Sequence, residues 1–412
     1  MAETQGGGAL AGVRVLDLSR VIAAPYAAQT LGDLGAEVIK VERPCTGDDA
    51  RIYGRHTLTG SDGEPTLESA FFLGMNRNKR SVTIDIATTR GQELVRRLAA
   101  DSDVLIENLK VGTMKRYGLD YDSLRAINPG LVYCSLTGYG QNGPSKDLPG
   151  YDPIFQAQCG LMAMTGLPDD VPGGGPLKTG PSIVDAAAGL YATIGILAAL
   201  RHRDATGEGQ YLDVALLDAA IAFTTHATQE YLATGVLPRR KGNEGNGGMP
   251  SQVLPCSDGD VYVVAGNNNH FAALCRVLGL DDLIDDPRYA LGRSRGEHRD
   301  ALTPRLEGAS RSWTAAKLAR SLSEAKVPAS VVNTLAETFE DAQVRHRGIA
   351  VQMPHPLKPD LLGIASPIRL QSTPPSYRRP PPMLGQHTDE ALGERLGLGA
   401  DELADLRAAK VI

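Results

Sequence analysis

The sequence predicts an α/β protein built on a mostly parallel sheet with covering helices, followed by a smaller second domain. Two observations carry this. β-Branched runs alternate with helical patterns through the first 140 residues, which is the signature of βαβ units. Then the punctuation changes at residues 237–250, where Gly242, Gly245, Gly247 and Gly248 stand between Pro238 and Pro250, and short helical patterns take over.

In order, strands are expected at 13–18, 37–42, 81–86, 104–107 and 131–136, with helices at about 26–34 and 89–100 between them. Ligands bind beyond the carboxyl ends of such strands, so the loops 19–25, 43–55, 108–112 and 139–151 are where function is expected. Helices at about 153–165 and 182–201, a strand at 210–216 and a helix at about 218–233 complete a large domain. Residues 1–225 form its N-terminal part, 226–330 the small domain, and 331–412 a C-terminal segment that returns to the large one. That last segment holds brief strand-like pieces, a proline-rich stretch at 374–382 and a terminal helix at about 401–410.

Composition excludes several classes of function. The 412 residues carry 42 basic and 48 acidic side chains, a net charge of −6, and only 5% aromatics; this gives neither a basic face for phosphate backbones nor platforms for base stacking. Nucleic acid is not an expected partner. Five scattered cysteines (Cys45, Cys134, Cys159, Cys256, Cys275) form no C-x-x-C pair and read as reduced thiols. The N-terminus lacks leader character, and the longest largely apolar run, 186–200, is too short to span a bilayer. A cytoplasmic protein that does not engage membranes is expected.

The common catalytic signatures are missing. The eight histidines are far apart, with no H-E-x-x-H and no G-x-S-x-G, so neither a metal site nor a serine triad is indicated. Residues 242–248 are glycine-rich but lack the G-K-[ST] ending of a phosphate loop. The first βα turn, Ser19-Arg-Val-Ile-Ala-Ala-Pro25, has no glycine and so no dinucleotide fingerprint. Asp185 is more informative as the only charge between Pro181 and Leu200, at the opening of an apolar helix. Two readings are open: an acid favoured by the helix dipole, or an ionised nucleophile. Tyr151-Asp152 stands at another helix start, where capping by Asp152 is the ordinary reading. Arg43, Arg51, Arg77, Lys79 and Arg80 follow strand ends or sit in nearby loops, where any of them could pair with an anionic ligand but each taken singly is expected to be solvated.

Together, six motifs make the chain resemble the class III CoA-transferases (the CaiB/BaiF family) from Leu10 to about Gly393. They are Leu10-Ala-Gly-Val-Arg-Val-Leu-Asp-Leu-Ser19, Leu31-Gly-Asp-Leu-Gly-Ala-Glu-Val-Ile-Lys-Val-Glu-Arg-Pro44, Asn76-Arg-Asn-Lys-Arg-Ser81, Gly138-Tyr-Gly-Gln-Asn-Gly-Pro144, Thr206-Gly-Glu-Gly-Gln210 and Leu384-Gly-Gln-His-Thr388. The resemblance implies a Rossmann-like large domain made from both ends of the chain, a small domain between them, and two ring-shaped subunits interlocked as a homodimer. It makes Asp185 the catalytic nucleophile, forming acyl anhydrides and an aspartyl-CoA thioester, with coenzyme A thioesters as substrates and no tightly bound cofactor. Coenzyme A is then expected to contact Val21, Ile22, Ala23, Arg43, Ile84, Asp85, Ile86, Ala87, Asn108, Leu109, Lys110, Arg116 and Tyr151, and Gly245, Gly247 and Gly248 belong to a glycine-rich lid.

Two departures narrow the activity. Ile22 stands where formyl-CoA transferases have glutamine, and Tyr53 where they have tryptophan. The related racemases carry a His-Asp pair where this chain has Tyr151-Asp152, which removes the base for proton abstraction. The closest likeness, through Val41-Glu-Arg-Pro44, Asn76-Arg-Asn78, Tyr139-Gly-Gln-Asn-Gly-Pro144 and Val264-Ala-Gly-Asn-Asn268, is to transferases that move CoA from succinyl-CoA to glutarate, 3-hydroxy-3-methylglutarate, citramalate or similar dicarboxylates. A second carboxylate calls for an arginine, and charge and loop position make Arg51 and Arg77 the candidates. The alternatives are a 2-methylacyl-CoA racemase-like isomerase and a non-catalytic CoA-binding protein of the same fold.

Overall fold

The computed structural model describes residues 7–54, 56–245 and 248–412. The chain divides into two compact units, Met1–Leu161 with Lys178–Leu237 and Arg347–Ile412, and Met162–Leu177 with Pro238–His346. The division differs from the sequence expectation in three places, one of them the end of the second unit, which is His346 rather than residue 330. The chain leaves the first unit twice rather than once, and the helix Thr225–Thr234 stays in the first unit, so the main excursion starts at Pro238.

The first unit holds six strands, β1 (Arg14–Asp17), β2 (Glu37–Glu42), β3 (Lys79–Thr83), β4 (Val104–Glu107), β5 (Val132–Thr137) and β6 (Tyr211–Ala215). All five pairings are parallel and the order is β6-β5-β4-β1-β2-β3. This is the doubly wound order, in which the chain reverses direction between β1 and β4 and leaves a crevice at their carboxyl ends. Strand residues alternate between the two faces. Val15, Val38, Val104, Ile106 and Cys134 face one core, and Leu16, Ile39, Val82, Leu105 and Tyr133 face the other, because a parallel sheet is buried on both sides.

Helices α1 (Ala23–Asp33) and α2 (Thr89–Ala100) follow β1 and β3, and further on come α3 (Asp152–Gln158), α4 (Ile183–Thr206), α5 (Leu216–Phe223) and α6 (Thr225–Thr234). The first face is covered by α1 and α4, which pack through alanines, Ala23, Ala24, Ala27 and Ala28 against Ala188 and Ala192. Their approach is so close that a Cβ on Gly189 would lie 2.5 Å from the Ala23 carbonyl oxygen. The second face is covered by α2 and by the C-terminal helices α7 (Thr388–Leu396) and α8 (Ala400–Ala408), with Val411 and Ile412 in the same core.

Helix α4 is, by length and composition, the one helix among the described residues able to cross a membrane; half of that stretch is buried within the protein. The strand expected at 81–86 ends at Thr83, because Asp85 turns away from β2 and donates its amide to the Val411 carbonyl at 2.7 Å. The helix expected at 153–165 stops at Gln158, before Gly160 at φ +87°. The helix expected at 218–233 is two helices, broken where Thr225 takes φ +43°.

The second unit contains an antiparallel sheet of β7 (Ser251–Pro255), β8 (Asp260–Val264) and β9 (Ala329–Val331). Short helices pack on it through Phe271, Leu274, Leu302, Leu318 and Leu322. Arg295 is fully buried there and donates to the carbonyls of Met249, Gly266 and Tyr289 and to Asn268 Oδ1. It thereby ties the end of the glycine-rich loop to the Val264–Asn268 motif.

Candidate active site

Helix α4 begins without a side-chain bond from its own N-cap residue, Ser182. Its first amides are satisfied from another element: Asp152, the first residue of α3, accepts through Oδ2 from the amides of Val184 at 2.7 Å and Asp185 at 3.1 Å. Its Oδ1 accepts from Gln156, which in turn receives the Thr179 amide at 2.9 Å. Asp152 is 5% exposed. It therefore caps α4 from 32 residues away rather than capping its own helix, and it locks the turn in front of Asp185.

Asp185 is half-buried, and its carboxyl is pushed up to about 7, first by burial and then by the negative charge of Asp152. The helix dipole acts in the opposite direction and does not prevail. At neutral pH the acid and carboxylate forms are then present in comparable amounts, a condition suited to a group that must act as nucleophile and as leaving group.

Asp185 lines a cleft of about 490 Å³ together with Arg20, Val21, Ile22, Ala23, Asn108, Leu109, Lys110, Lys146 and Tyr151. The cleft lies beyond the carboxyl ends of β1 and β4, at the switch point that the topology defines. Its size is that of a pocket for a small organic ligand. The β1–α1 loop forming one wall is held from below. Buried Lys40 donates to the Ser19 carbonyl at 2.7 Å and pairs with Asp48 at 2.9 Å, while Asp48 accepts the Val21 amide at 3.0 Å. Val21, a β-branched residue, sits at φ +71°, a strained state that persists only where its surroundings impose it. Asn108 clamps Arg20 on both sides, accepting its amide at 2.9 Å and donating to its carbonyl at 2.8 Å.

The structure thus brings together, beside Asp185, Val21, Ile22, Ala23, Asn108, Leu109, Lys110 and Tyr151 from the positions expected to hold coenzyme A. Arg43, Ile84 and Ile86 line a narrow crevice beside the cleft, with Arg20 common to both. Asp85, Ala87 and Arg116 line neither: Asp85 Oδ1 accepts the Ala87 amide at 3.0 Å, and Arg116 lies exposed over the Tyr117 ring. Tyr53 lies beside Tyr151, and this neighbour together with burial pushes its phenol up to about 12. In the second unit Gly245 donates its amide to the Ser251 carbonyl and Gly248 takes φ +82°. Gly247 lies outside the described residues.

Arg51 and Arg77 are corrected by the structure. Arg51 is fully buried, paired in bidentate fashion with Glu42, bonded to Glu68 and to the Pro382 carbonyl, and stacked 3.6 Å above Phe72. Arg77 is buried against Asp33 beneath the Tyr377 ring. Both guanidinium groups are taken up by internal partners. Lys79 and Arg80, expected to be solvated, are buried as well, Lys79 on Asp17 and Arg80 on Glu390 and Glu394. Sequence reasoning missed Arg20 and the function of Asp152. The signals were slight: an arginine inside a loop already marked as functional, and an aspartate immediately before a helix-opening proline.

The model of CoA-transferase family III matches residues 10–388. A succinate–glutarate CoA-transferase of Agrobacterium fabrum is 41% identical over 385 residues, 93% of this chain and 95% of that protein. A succinyl-CoA–D-citramalate CoA-transferase of Chloroflexus aurantiacus is 36% identical, over 97% of each chain. Among solved structures, a CaiB/BaiF family protein from Brucella suis superimposes with a TM-score of 0.86 at 40% identity, covering 95% of this chain and 100% of that one.

Proposed function

The chain belongs to CoA-transferase family III, and from that premise we propose that it moves CoA from succinyl-CoA to a dicarboxylic acid such as glutarate, 3-hydroxy-3-methylglutarate or citramalate, with Asp185 as the nucleophile. The observation that carries this reading is the half-buried Asp185 at the α4 N-terminus, facing a cleft of ligand size, on a carboxyl near neutrality.

The Asp185 carboxylate attacks the thioester carbonyl, the C–S bond breaks, and a succinyl-aspartyl anhydride and the CoA thiolate result. The thiolate then attacks the aspartyl carbonyl and succinate leaves, giving an aspartyl-CoA thioester. An acceptor carboxylate attacks that thioester and expels the thiolate, forming a second anhydride. The thiolate returns to the acceptor's acyl carbon, which frees the new acyl-CoA and the Asp185 carboxylate. Each step exchanges one acyl bond for another, so no step has to make a poor leaving group leave. Helices α1 and α4 both begin at the cleft, so their positive ends favour the thiolate and the developing oxyanions. The loop at 242–248 is proposed as a lid that keeps water from the anhydrides.

We further propose an interlocked homodimer in the cytoplasm. Helix α4 leaves Leu190, Tyr191 and Ile194 exposed, the last at 62%, and Leu232 on α6 is 70% exposed. Large apolar side chains left exposed together on one helix, as Leu190, Tyr191 and Ile194 are, support an interface. The five cysteines are unpaired, as a reducing compartment keeps them. The activity is tested by incubating the protein with succinyl-CoA and each dicarboxylate in turn and separating the acyl-CoA products. A new acyl-CoA formed in step with succinate release is expected, and hydrolysis without transfer to any acid would overturn the proposal.

A further inference from the structure

We propose that Arg20 is the residue that recognises the distal carboxylate of the dicarboxylic substrates. The inference rests on the reading of the protein as a dicarboxylate CoA-transferase and names the group that gives it that specificity. With Arg51 and Arg77 taken up by buried acids, the cationic side chains lining the cleft of Asp185 are Arg20, Lys110 and Lys146.

These three differ in how well they are fixed. Lys110 and Lys146 are exposed residues on the rim, with flexible stems. Arg20 is half-buried, and its backbone is bonded on both sides to Asn108 at 2.9 and 2.8 Å. With its backbone fixed at the cleft wall, Arg20 starts from a set position, and its planar guanidinium can offer two parallel donors to a carboxylate.

Charge balance points to the same side chain. Two guanidinium groups, those of Arg20 and Arg43, pair with Asp49, which also lines the cleft. Arg43 takes the close pair and also donates to the Gly47 carbonyl, whereas Arg20 reaches Asp49 only at 3.9 Å. Arg20, with Asp49 at 3.9 Å and Asp48 acting on it from farther off, is therefore without a close ion pair among the described residues, in a partly desolvated place at the junction of the cleft and the crevice where a hydrogen-bonded carboxylate is favoured. Arg43 faces the crevice and not the cleft. A succinyl or glutaryl group bonded at Asp185 carries its second carboxylate only two or three methylenes away, inside the cleft that Arg20 lines.

The test compares acids of matched chain length. Wild type, Arg20→Gln and Arg20→Lys are assayed with glutarate and with pentanoate as acceptors, and with succinyl-CoA and butyryl-CoA as donors. Affinity for free CoA is measured alongside, and thermal melting checks the fold. Arg20→Gln is expected to lower kcat/KM for glutarate about 10- to 100-fold, the range for losing a charge-assisted pair, while pentanoate and free CoA change less than threefold (~0.6 kcal/mol by RT ln 3). Arg20→Lys falls between. An unchanged glutarate-to-pentanoate ratio overturns the proposal, and so does an equal loss for every thioester together with free CoA, which would make Arg20 a phosphate contact. A wild-type enzyme that transfers CoA to none of the dicarboxylates refutes the dicarboxylate reading itself and is seen before any variant is compared. Where another dicarboxylate is the acceptor, it and its monocarboxylate of matched length replace glutarate and pentanoate.

Discussion

Replacing Asp152 by asparagine separates the two effects this side chain has on Asp185. The amide oxygen can still accept from the Val184 and Asp185 amides, so the α4 cap survives in part, but the negative charge beside Asp185 is gone. Burial is the larger cause of the raised Asp185 pKa and the Asp152 charge the smaller, and burial is unaffected by the substitution. A like-charge contribution of about 1–2 kcal/mol, the size expected for partly buried charges a few ångströms apart, is about one pKa unit at 1.36 kcal/mol per unit. In the wild type the rate of the first half-reaction, followed as succinate release at limiting succinyl-CoA, should rise with pH and level off near 7, because only the carboxylate attacks. In Asp152→Asn the same limb should move about one unit toward acid, with a plateau lowered by the weakened cap. A limb that stays near 7 would show that the Asp152 charge does not act on Asp185, and a limb that moves toward alkali would refute the electrostatic reasoning.

The remaining predictions concern stability and the lid. Asp185 binds its proton more tightly folded than unfolded, so stability falls as pH rises from about 4 to about 7 and stays low above; with a shift from 3.8 to about 7, the loss is at most about 4 kcal/mol. Asp185→Asn should therefore melt higher than wild type at pH 8 and alongside it at pH 4, while losing turnover; equal melting at both pH values would contradict the assignment. Arg51→Met leaves Glu42 and Glu68 buried without their partner and should cost about 3–5 kcal/mol in denaturant unfolding, with KM for the acceptor unchanged in whatever folds. A raised acceptor KM without destabilisation would return Arg51 to the substrate. A Cβ at position 245 would lie 2.3 Å from Ser251 Oγ and 2.8 Å from Tyr262 Oη, so Gly245→Val should displace the loop and raise hydrolysis of succinyl-CoA relative to transfer, measured as succinate released per acyl-CoA formed.

The parts of the fold that follow from local pattern were legible in the sequence. β-Branched runs at 13–18, 37–42 and 104–107 are strands, and the loops after β1 and β4 do form the cleft, because a parallel sheet leaves its crevice where strand order reverses. What could not be read is what long-range pairing decides. Arg51 looks like any loop arginine until Glu42, Glu68 and the Pro382 carbonyl close around it, and Arg80 until α7 supplies Glu390 and Glu394. Residue type alone does not tell a solvated cation from one paired across 310 positions. Asp152 follows the same rule: an aspartate before a proline reads as a cap, and only the fold tells which helix it caps. The chain also leaves the first unit at Met162–Leu177, a detour too short to alter the local periodicity.

The central claim, that Asp185 carries CoA covalently, is tested most directly by intact-protein mass spectrometry after incubation with succinyl-CoA, on wild type and on Asp185→Ala, with and without hydroxylamine. An adduct of one CoA that maps to Asp185, is removed by hydroxylamine and is absent from the variant is the predicted result. Succinyl-CoA converted to a new acyl-CoA by the Asp185→Ala protein, or an adduct on any other residue, would contradict the account.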